Sequence, residues 1–394
     1  MSSRSVCFVV GARPNFMKAA PVYRALAEVE PDLRLLLVHT GQHYDAEMSA
    51  VFVAELDLPP PDVLLGIGSG THGEQTAKAL VGVERVLLDQ RPSLVVVAGD
   101  VNSTLAAALA ASKLQIPVAH IESGLRSFDE GMPEEANRRL TDHLSQILLA
   151  HSDAAVANLL QEKIVPDRIH LIGNTMIDSV FRHLAAALVK QPWSRFDLAP
   201  GGFALVTLHR PALVDDPQLL GRTIDAVSEL ARLMPLVFPV HPRTQARIAA
   251  TGVDLAALRE KGVMISSPLG YLEFLGLEAK AAFVLTDSGG VQEETSALNV
   301  RCFTLRNTTE RPVTVELGTN TVLGADPEAI RAIPKLLQEG DAPATEIALW
   351  DGRAGDRAAA VISAFLGSRR GRPSSESAEE LGIGQISRSS CHIR

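Results

Sequence analysis

Cysteine is scarce in this 394-residue chain: Cys7, Cys302 and Cys391 are all there is, and none pairs with another at metal-ligand spacing. An odd, scattered count excludes a disulfide scaffold and fits reduced thiols, with Cys7 and Cys302 as small core residues. Positive charge is also short, 37 Lys and Arg against 46 Asp and Glu for a net charge of -9. A protein that neutralises many nucleic-acid phosphates is therefore not expected. No apolar run approaches the roughly 18 residues of a membrane-crossing helix. The start, Arg4 with a short apolar stretch to Val10 and then Gly11-Ala12-Arg13-Pro14, lacks the length and cleavage pattern of a signal peptide. A cytoplasmic setting is the expectation. Missing too are a Walker Gly-Lys-Ser/Thr, a G-x-G-x-x-G fingerprint, H-E-x-x-H spacing and a nucleophile elbow. Kinase, NAD-dehydrogenase, metal-centred and serine-hydrolase readings lose their support accordingly.

What is present is a long alternation. Short apolar runs at Val6–Val10, Leu35–His39, Leu94–Ala98, Pro117–Ile121, Phe203–Thr207, Leu236–Val240, Val263–Ser266, Phe283–Thr286 and Cys302–Leu305 read as buried parallel strands. Amphipathic stretches lie between them, among them Lys18–Glu28, Gln75–Leu88, Thr104–Leu114, Glu134–Leu148, Leu219–Leu233 and Val291–Leu298. The pattern predicts α/β architecture, two doubly wound Rossmann-like domains facing a central cleft. The expected division is 1–176 for the first domain, 177–200 for a linking helix and connection, and 201–366 for the second. Residues 367–394, with seven serines and five arginines, are expected to form a disordered tail.

In open parallel sheets ligands bind beyond the carboxyl ends of the strands. The unusual polar residues stand there: Arg13 and Lys18 after the first run, Gln42 and His43 after the second, Asp100 after the third, Glu122 after the fourth, His209 and Arg210 after the fifth, His241 after the sixth. Thr286-Asp287-Ser288-Gly289-Gly290-Val291-Gln292-Glu293-Glu294 combines a strand end, a glycine turn and a helix start, where free N–H groups and the helix dipole attract phosphate. Ser288 equally suits plain helix capping. Glu294, one turn on, is placed to accept from both hydroxyls of a ribose. Arg13, Lys18, Arg306 and Arg311 supply cations for a diphosphate.

The sharpest feature is the set of carboxylates Asp100, Glu122 and Glu134, the last followed by Glu135. Pro133 with Glu134 and Glu135 also satisfies a helix N-terminus, and Asp100 could cap the helix near Ser103. Glu122 follows a buried run and has no such role. Carboxyls converging in a partly desolvated cleft have their proton affinities pushed apart, which keeps an acid and a base at one pH. His209 is a further acid or phosphate donor candidate.

These residues resemble the non-hydrolysing UDP-N-acetylglucosamine 2-epimerases, of the two-domain GT-B fold. The similarity runs from about Val6 to Leu366, through Gly11-Ala12-Arg13-Pro14, Thr40-Gly41-Gln42-His43, Gly99-Asp100, His120-Ile121-Glu122-Ser123-Gly124-Leu125-Arg126, Pro133-Glu134-Glu135-Ala136-Asn137-Arg138, Gly173-Asn174-Thr175, Thr207-Leu208-His209-Arg210, Thr286 to Glu294, and Thr308-Thr309-Glu310-Arg311-Pro312. The resemblance implies that Ser288, Gly289 and Gly290 hold a diphosphate, Glu294 the ribose, and the segment with Tyr271 and Phe274 the uracil. It places Arg13, Lys18, His209 and Arg311 around the phosphates, counts Gln42, His43, Arg138, Arg210 and His241 among the substrate contacts, and gives Asp100, Glu122 and Glu134 the sugar chemistry. It also implies anti elimination of UDP and its re-addition, with no cofactor and no metal, in a homodimer serving polysaccharide or glycoconjugate precursors.

Two departures stand out. His209-Arg210 continues as Pro211-Ala212-Leu213, where the family commonly has arginine, glutamate and asparagine, so a modified UDP-sugar enters consideration. The loop Gly68–Glu74 lacks the arginine of substrate-activated members. A GT-B glycosyltransferase, a hydrolysing epimerase and a non-catalytic UDP-sugar binder are the alternatives. Three carboxylates around one sugar ring are more proton-transfer equipment than a transferase needs.

Overall fold

The computed structural model describes residues 4–41, 53–240, 242–251, 253–340 and 346–368. Gln42, His43, His241 and residues 369–394 of the expected tail lie outside these, as does the side chain of Arg13.

Among the described residues, thirteen strands form two parallel sheets. The first holds β1 (Ser5–Val10), β2 (Arg34–His39), β3 (Val63–Leu64), β4 (Leu94–Ala98), β5 (Val118–Ser123), β6 (Ile147–Ala150) and β7 (Ile169–Leu171), in the order β3-β2-β1-β4-β5-β6-β7. The second holds β8 (Ala204–Thr207), β9 (Leu236–Pro239), β10 (Val263–Ser266), β11 (Phe283–Thr286), β12 (Arg301–Thr304) and β13 (Asn320–Val322), in the order β10-β9-β8-β11-β12-β13. Every residue of β1, β4 and β5 is buried, as strands covered by helices on both faces must be. In each sheet the chain reverses its winding once, between β1 and β4 and between β8 and β11, which are hydrogen-bonded neighbours. Those two switch points open the crevices where ligands bind in such folds.

The short strands β3, β6, β7 and β13 were not expected. Three of them have only two or three residues, too few to show a pattern. β6 was hidden in the amphipathic stretch Glu134–Leu148: the helix Pro133–Leu144 stops before Ser145, whose backbone is extended, and Ile147 starts the strand. The helix expected from Gln75 begins at His72, because Thr71 and Glu74 form a reciprocal capping box. Cys7 and Cys302 are fully buried in the core.

The last helix, Ala354–Ser368, crosses back to the first sheet. Its Ala354, Ala358, Ala359, Ile362 and Leu366 share one core with Phe8, Phe16 and Leu26, so its packing differs from the grouping of 201–366 expected from sequence. Small residues permit that approach: a Cβ on Gly355 would meet Pro21 C at 2.8 Å. Asp178, in the helix Thr175–Val189, accepts from Ala354 N (3.1 Å) and Gly355 N (2.6 Å) and so caps the returning helix.

Candidate active site

The first crevice is built around a bulge. The ladder between β5 and β6 slips between Ile121 and Ser123, and Glu122 sits in the slip with φ +68°. A non-glycine residue in that conformation stores strain, and a bulge re-aims a side chain. Here it turns Glu122 into a buried pocket where Lys18 Nζ bonds one carboxyl oxygen and Arg311 Nη2 the other, at 3.1 Å. Burial alone would raise the Glu122 carboxyl, yet Lys18 and then Arg311 hold it below the ordinary range. Gly99 makes room, with φ +66° and a position where a Cβ would stand 3.0 Å from Lys18 Nζ and 3.4 Å from Glu122 Oε2.

Asp100 does not cap the next helix, whose N-cap is Val101 without a side-chain bond. Its carboxylate instead accepts from Arg138 Nε at 3.0 Å. Arg138 also donates to Glu135 Oε2 (2.6 Å) and reaches Glu310 Oε1 at 3.7 Å, across the cleft. Glu135 serves the fold: it accepts from Ser127 N and Oγ and from Phe128 N, pinning the loop ahead of the helix. Glu134 is half-buried in the same first turn, where its charge is felt by Arg210 of the second domain. Behind Asp100, His120 presents Nε2 to Gly99 O (2.8 Å) and Nδ1 to Asp142 (2.7 Å), fixing the turn.

The second crevice supplies cations and backbone donors. The helix Gly289–Leu298 starts at Ser288 with no side-chain cap bond, so the capping reading of Ser288 does not describe its hydroxyl. Gly289 lies so close to Arg311 that a Cβ would meet Nη1 at 2.4 Å. Arg311 joins the two halves: Nε lies 2.9 Å from Glu293 Oε1 and Nη2 binds Glu122. His151, at the end of β6, approaches Glu293 Oε1 at 3.4 Å. Glu310 gathers Arg306 (2.7 Å), Arg311 (3.4 Å), Arg138 (3.7 Å) and Arg210 (3.9 Å); Arg306 and then Arg311 outweigh its burial and hold it far below the usual range.

His209 is half-exposed, and its partner is Asp287 rather than the sugar-side carboxylates: Nδ1 lies 2.9 Å from Asp287 Oδ1. Burial pulls its proton affinity down, but the Asp287 hydrogen bond and charge win and raise it. Asp287 also accepts from His209 N (2.9 Å) and Arg210 N (2.8 Å). Tyr271 and Phe274 lie on the helix Tyr271–Glu278. Tyr271 is 2% exposed and packs edge-on against His183, so its ring offers no open face as it stands. Phe274 packs against the cluster of Trp193, Phe203 and Leu205. Glu294 is buried against another acid, Glu278.

Sequence reasoning passed over Asp287, Glu293, Glu310 and His151 as site residues. The first three lie inside motifs it had marked, and their burial was the missing signal. Glu122, His151 and Glu293 could offer a metal three ligand atoms within 4.8 Å of one another. Both carboxylates are already neutralised by Lys18 and Arg311, which a divalent cation would have to displace.

Comparison with known proteins decides what these two crevices belong to. A family model described as UDP-N-acetylglucosamine 2-epimerase matches residues 25–363. The chain belongs to the UDP-N-acetylglucosamine 2-epimerase family. It is 44% identical over 337 residues to the UDP-N-acetylglucosamine 2-epimerase of Methanocaldococcus jannaschii, covering 84% of this chain and 92% of that protein. It is 43% identical over 321 residues to the UDP-2,3-diacetamido-2,3-dideoxy-D-glucuronate 2-epimerase of Pseudomonas aeruginosa, covering 80% and 87%. The crystal structure of the Methanocaldococcus enzyme with UDP-GlcNAc and UDP superposes with a TM-score of 0.83 at 40% identity, over 91% of this chain and 99% of that one. That of the Neisseria meningitidis epimerase bound to UDP-GlcNAc gives 0.81 at 31% identity, over 92% and 100%. The architecture of this family member is thus GT-B, with a parallel sheet on either side of the cleft. No helix among its described residues is long and apolar enough to cross a membrane.

Proposed function

We propose that this chain interconverts the C2 epimers of a UDP-N-acetylhexosamine by eliminating and re-adding UDP. One observation supports the reading above the others: Glu122, buried between Lys18 and Arg311, faces a cleft that also holds Asp100 on Arg138 and the uncapped helix at Gly289. A base removes the C2 proton, the C1–O bond breaks with its electron pair leaving on the UDP oxygen, and a C1–C2 double bond forms in 2-acetamidoglucal. Re-addition of UDP at C1 and of a proton to the opposite face of C2 completes the exchange.

Asp100, Glu122 and Glu134 form the acid/base set, and coupled carboxyls share such duties between the two directions. Lys18, Arg311 and Arg210, with the helix start at Ser288, Gly289 and Gly290, stabilise the departing diphosphate. His209, its proton affinity raised by Asp287, is placed as a donor to that phosphate. Arg13, Gln42, His43 and His241 complete the substrate contacts in this reading, Arg138 positions Asp100, Glu294 takes the ribose, and Tyr271 and Phe274 border the base. The two sheets act as two lobes closing on the sugar, with the helix Ala354–Ser368 packed on the first. A homodimer in the cytoplasm belongs to the same proposal.

Proton NMR in deuterated water with UDP-GlcNAc tests it. The expected result is deuterium at C2 together with a second UDP-linked epimer. Free UDP with N-acetylmannosamine would instead indicate hydrolysis. The relative acting on a diacetamido uronic acid, and the departure at Pro211-Ala212-Leu213, make the corresponding UDP-diacetamido sugar the second substrate to assay.

A further inference from the structure

Glu278 ends the helix Tyr271–Glu278 and is fully buried. Neither of its carboxyl oxygens meets an N–H or O–H donor among the described residues. What stands within hydrogen-bond reach is a second acid, the side chain of Glu294, itself 4% exposed on the helix that starts at the glycine turn. The other titratable group that feels Glu278, Cys302, makes its own contacts with Thr295 and Thr304. A bare carboxylate here would have lost its water and gained neither donor nor cation, and beside a second carboxylate it would be repelled as well. Both penalties vanish if one proton stays between the two acids. Burial first, then the charge of Glu294 and the bond to it, accordingly push Glu278 well above the ordinary carboxylic range.

We propose that Glu278 is a positioning residue for the nucleotide ribose, donating its carboxyl O–H to one Glu294 oxygen so that the Glu294 carboxylate is held ready for the two ribose hydroxyls. This rests on the reading of Glu294 as the ribose ligand. The reason for an acid in the second position is physical: Glu294 must keep its charge in a buried place to accept from a diol, and a neutral neighbour with one O–H supports that charge. An apolar side chain of similar size would leave Glu294 to take up a proton itself and lose acceptor strength.

Calorimetric binding of UDP and of 2′,3′-dideoxy-UDP to the full chain and its variants tests the proposal. The unaltered protein is expected to prefer UDP by about tenfold or more, the worth of hydrogen bonds to a charged group. Glu278→Leu is expected to lose most of that preference while its affinity for the dideoxy nucleotide stays level. Glu278→Gln, which keeps a donor, is expected to retain it. The infrared difference spectrum between the unaltered protein and Glu278→Gln is expected to show the carbonyl band of a protonated carboxyl. Full preference in Glu278→Leu, an equal loss in Glu278→Gln, or no such band would overturn the proposal, and the band decides alone if Glu278→Leu does not fold. A preference unchanged in Glu294→Gln would overturn the ribose reading instead.

Discussion

Arg311 Nη2 lies 3.1 Å from Glu122 Oε1, a bond between residues 189 positions apart that ties the helix-start crevice of one sheet to the bulged strand of the other. Both groups are buried, and Arg311 also holds Glu293 within the second domain. In the proposed site, a diphosphate entering beside Gly289 would draw on the same guanidinium. Under the proposed function, substrate phosphate and the Glu122 carboxylate therefore compete for Arg311, and for Lys18 on the other Glu122 oxygen.

Glu122→Gln tests that competition. The variant is expected to lose about a hundredfold or more in kcat, the usual range for a removed acid or base. Its UDP affinity should be no weaker than before, because Lys18 and Arg311 no longer serve a carboxylate. Steady-state kinetics with calorimetry of UDP binding checks both, and full activity in the variant would falsify the assignment of Glu122 to the acid/base set.

Gly289→Ala isolates the guanidinium without touching its charge. The added Cβ lands 2.4 Å from Arg311 Nη1, so the arginine must move. UDP affinity and kcat should both fall by about tenfold or more, since displacement costs charge-assisted bonds. The thermal unfolding of the variant separates this from general damage: a Tm lowered by more than a few degrees would point to misfolding instead.

His209 titrates above its ordinary 6.5, because Asp287 outweighs the effect of burial. Removing that charge in Asp287→Asn is expected to move the His209 midpoint down in pH, followed by NMR of the imidazole protons. If protonated His209 helps UDP leave, the alkaline limb of the kcat profile moves down with it. A His209 midpoint unchanged by Asp287→Asn would show that the 2.9 Å contact does not govern it.

A second histidine sets a stability window. Burial, followed by the charge of Arg24, lowers His183 from 6.5 to about 4. The folded chain thus resists protonating it while the unfolded chain does not. Its contribution is fully present above 6.5 and is lost as pH falls through about 4. Tm should decline across that interval, and His183→Gln should flatten the decline relative to the unaltered protein. Parallel curves for the two proteins would remove His183 from the account.

Much of this site was legible because loops at strand ends announce themselves. Asp100, Glu122, Lys18 and Arg311 each stand out as polar residues next to buried apolar runs. Buried partners did not stand out. Glu310 sits in the marked Thr-Thr-Glu-Arg-Pro segment, but only its place among Arg306, Arg311, Arg138 and Arg210 reveals it as the anion that keeps four guanidiniums together. Tyr271 entered the site as a uracil contact through the family resemblance. Its burial beside His183 gives it packing work at the junction of two helices.

The sequence by itself determined the parallel α/β class, the two sheets and the strand ends at which the crevices open. Strand burial and the switch-point rule are local and repetitive, and they leave a mark in every βαβ unit. Only the tertiary structure decided which charges meet, that Glu122 turns into its pocket on a bulge, and that the helix Ala354–Ser368 returns to the first sheet. Those outcomes depend on contacts between residues more than a hundred positions apart, such as Lys18 with Glu122 or Asp178 with Gly355. Pairing at that range is set by how whole layers pack, and no window of neighbouring residues carries it.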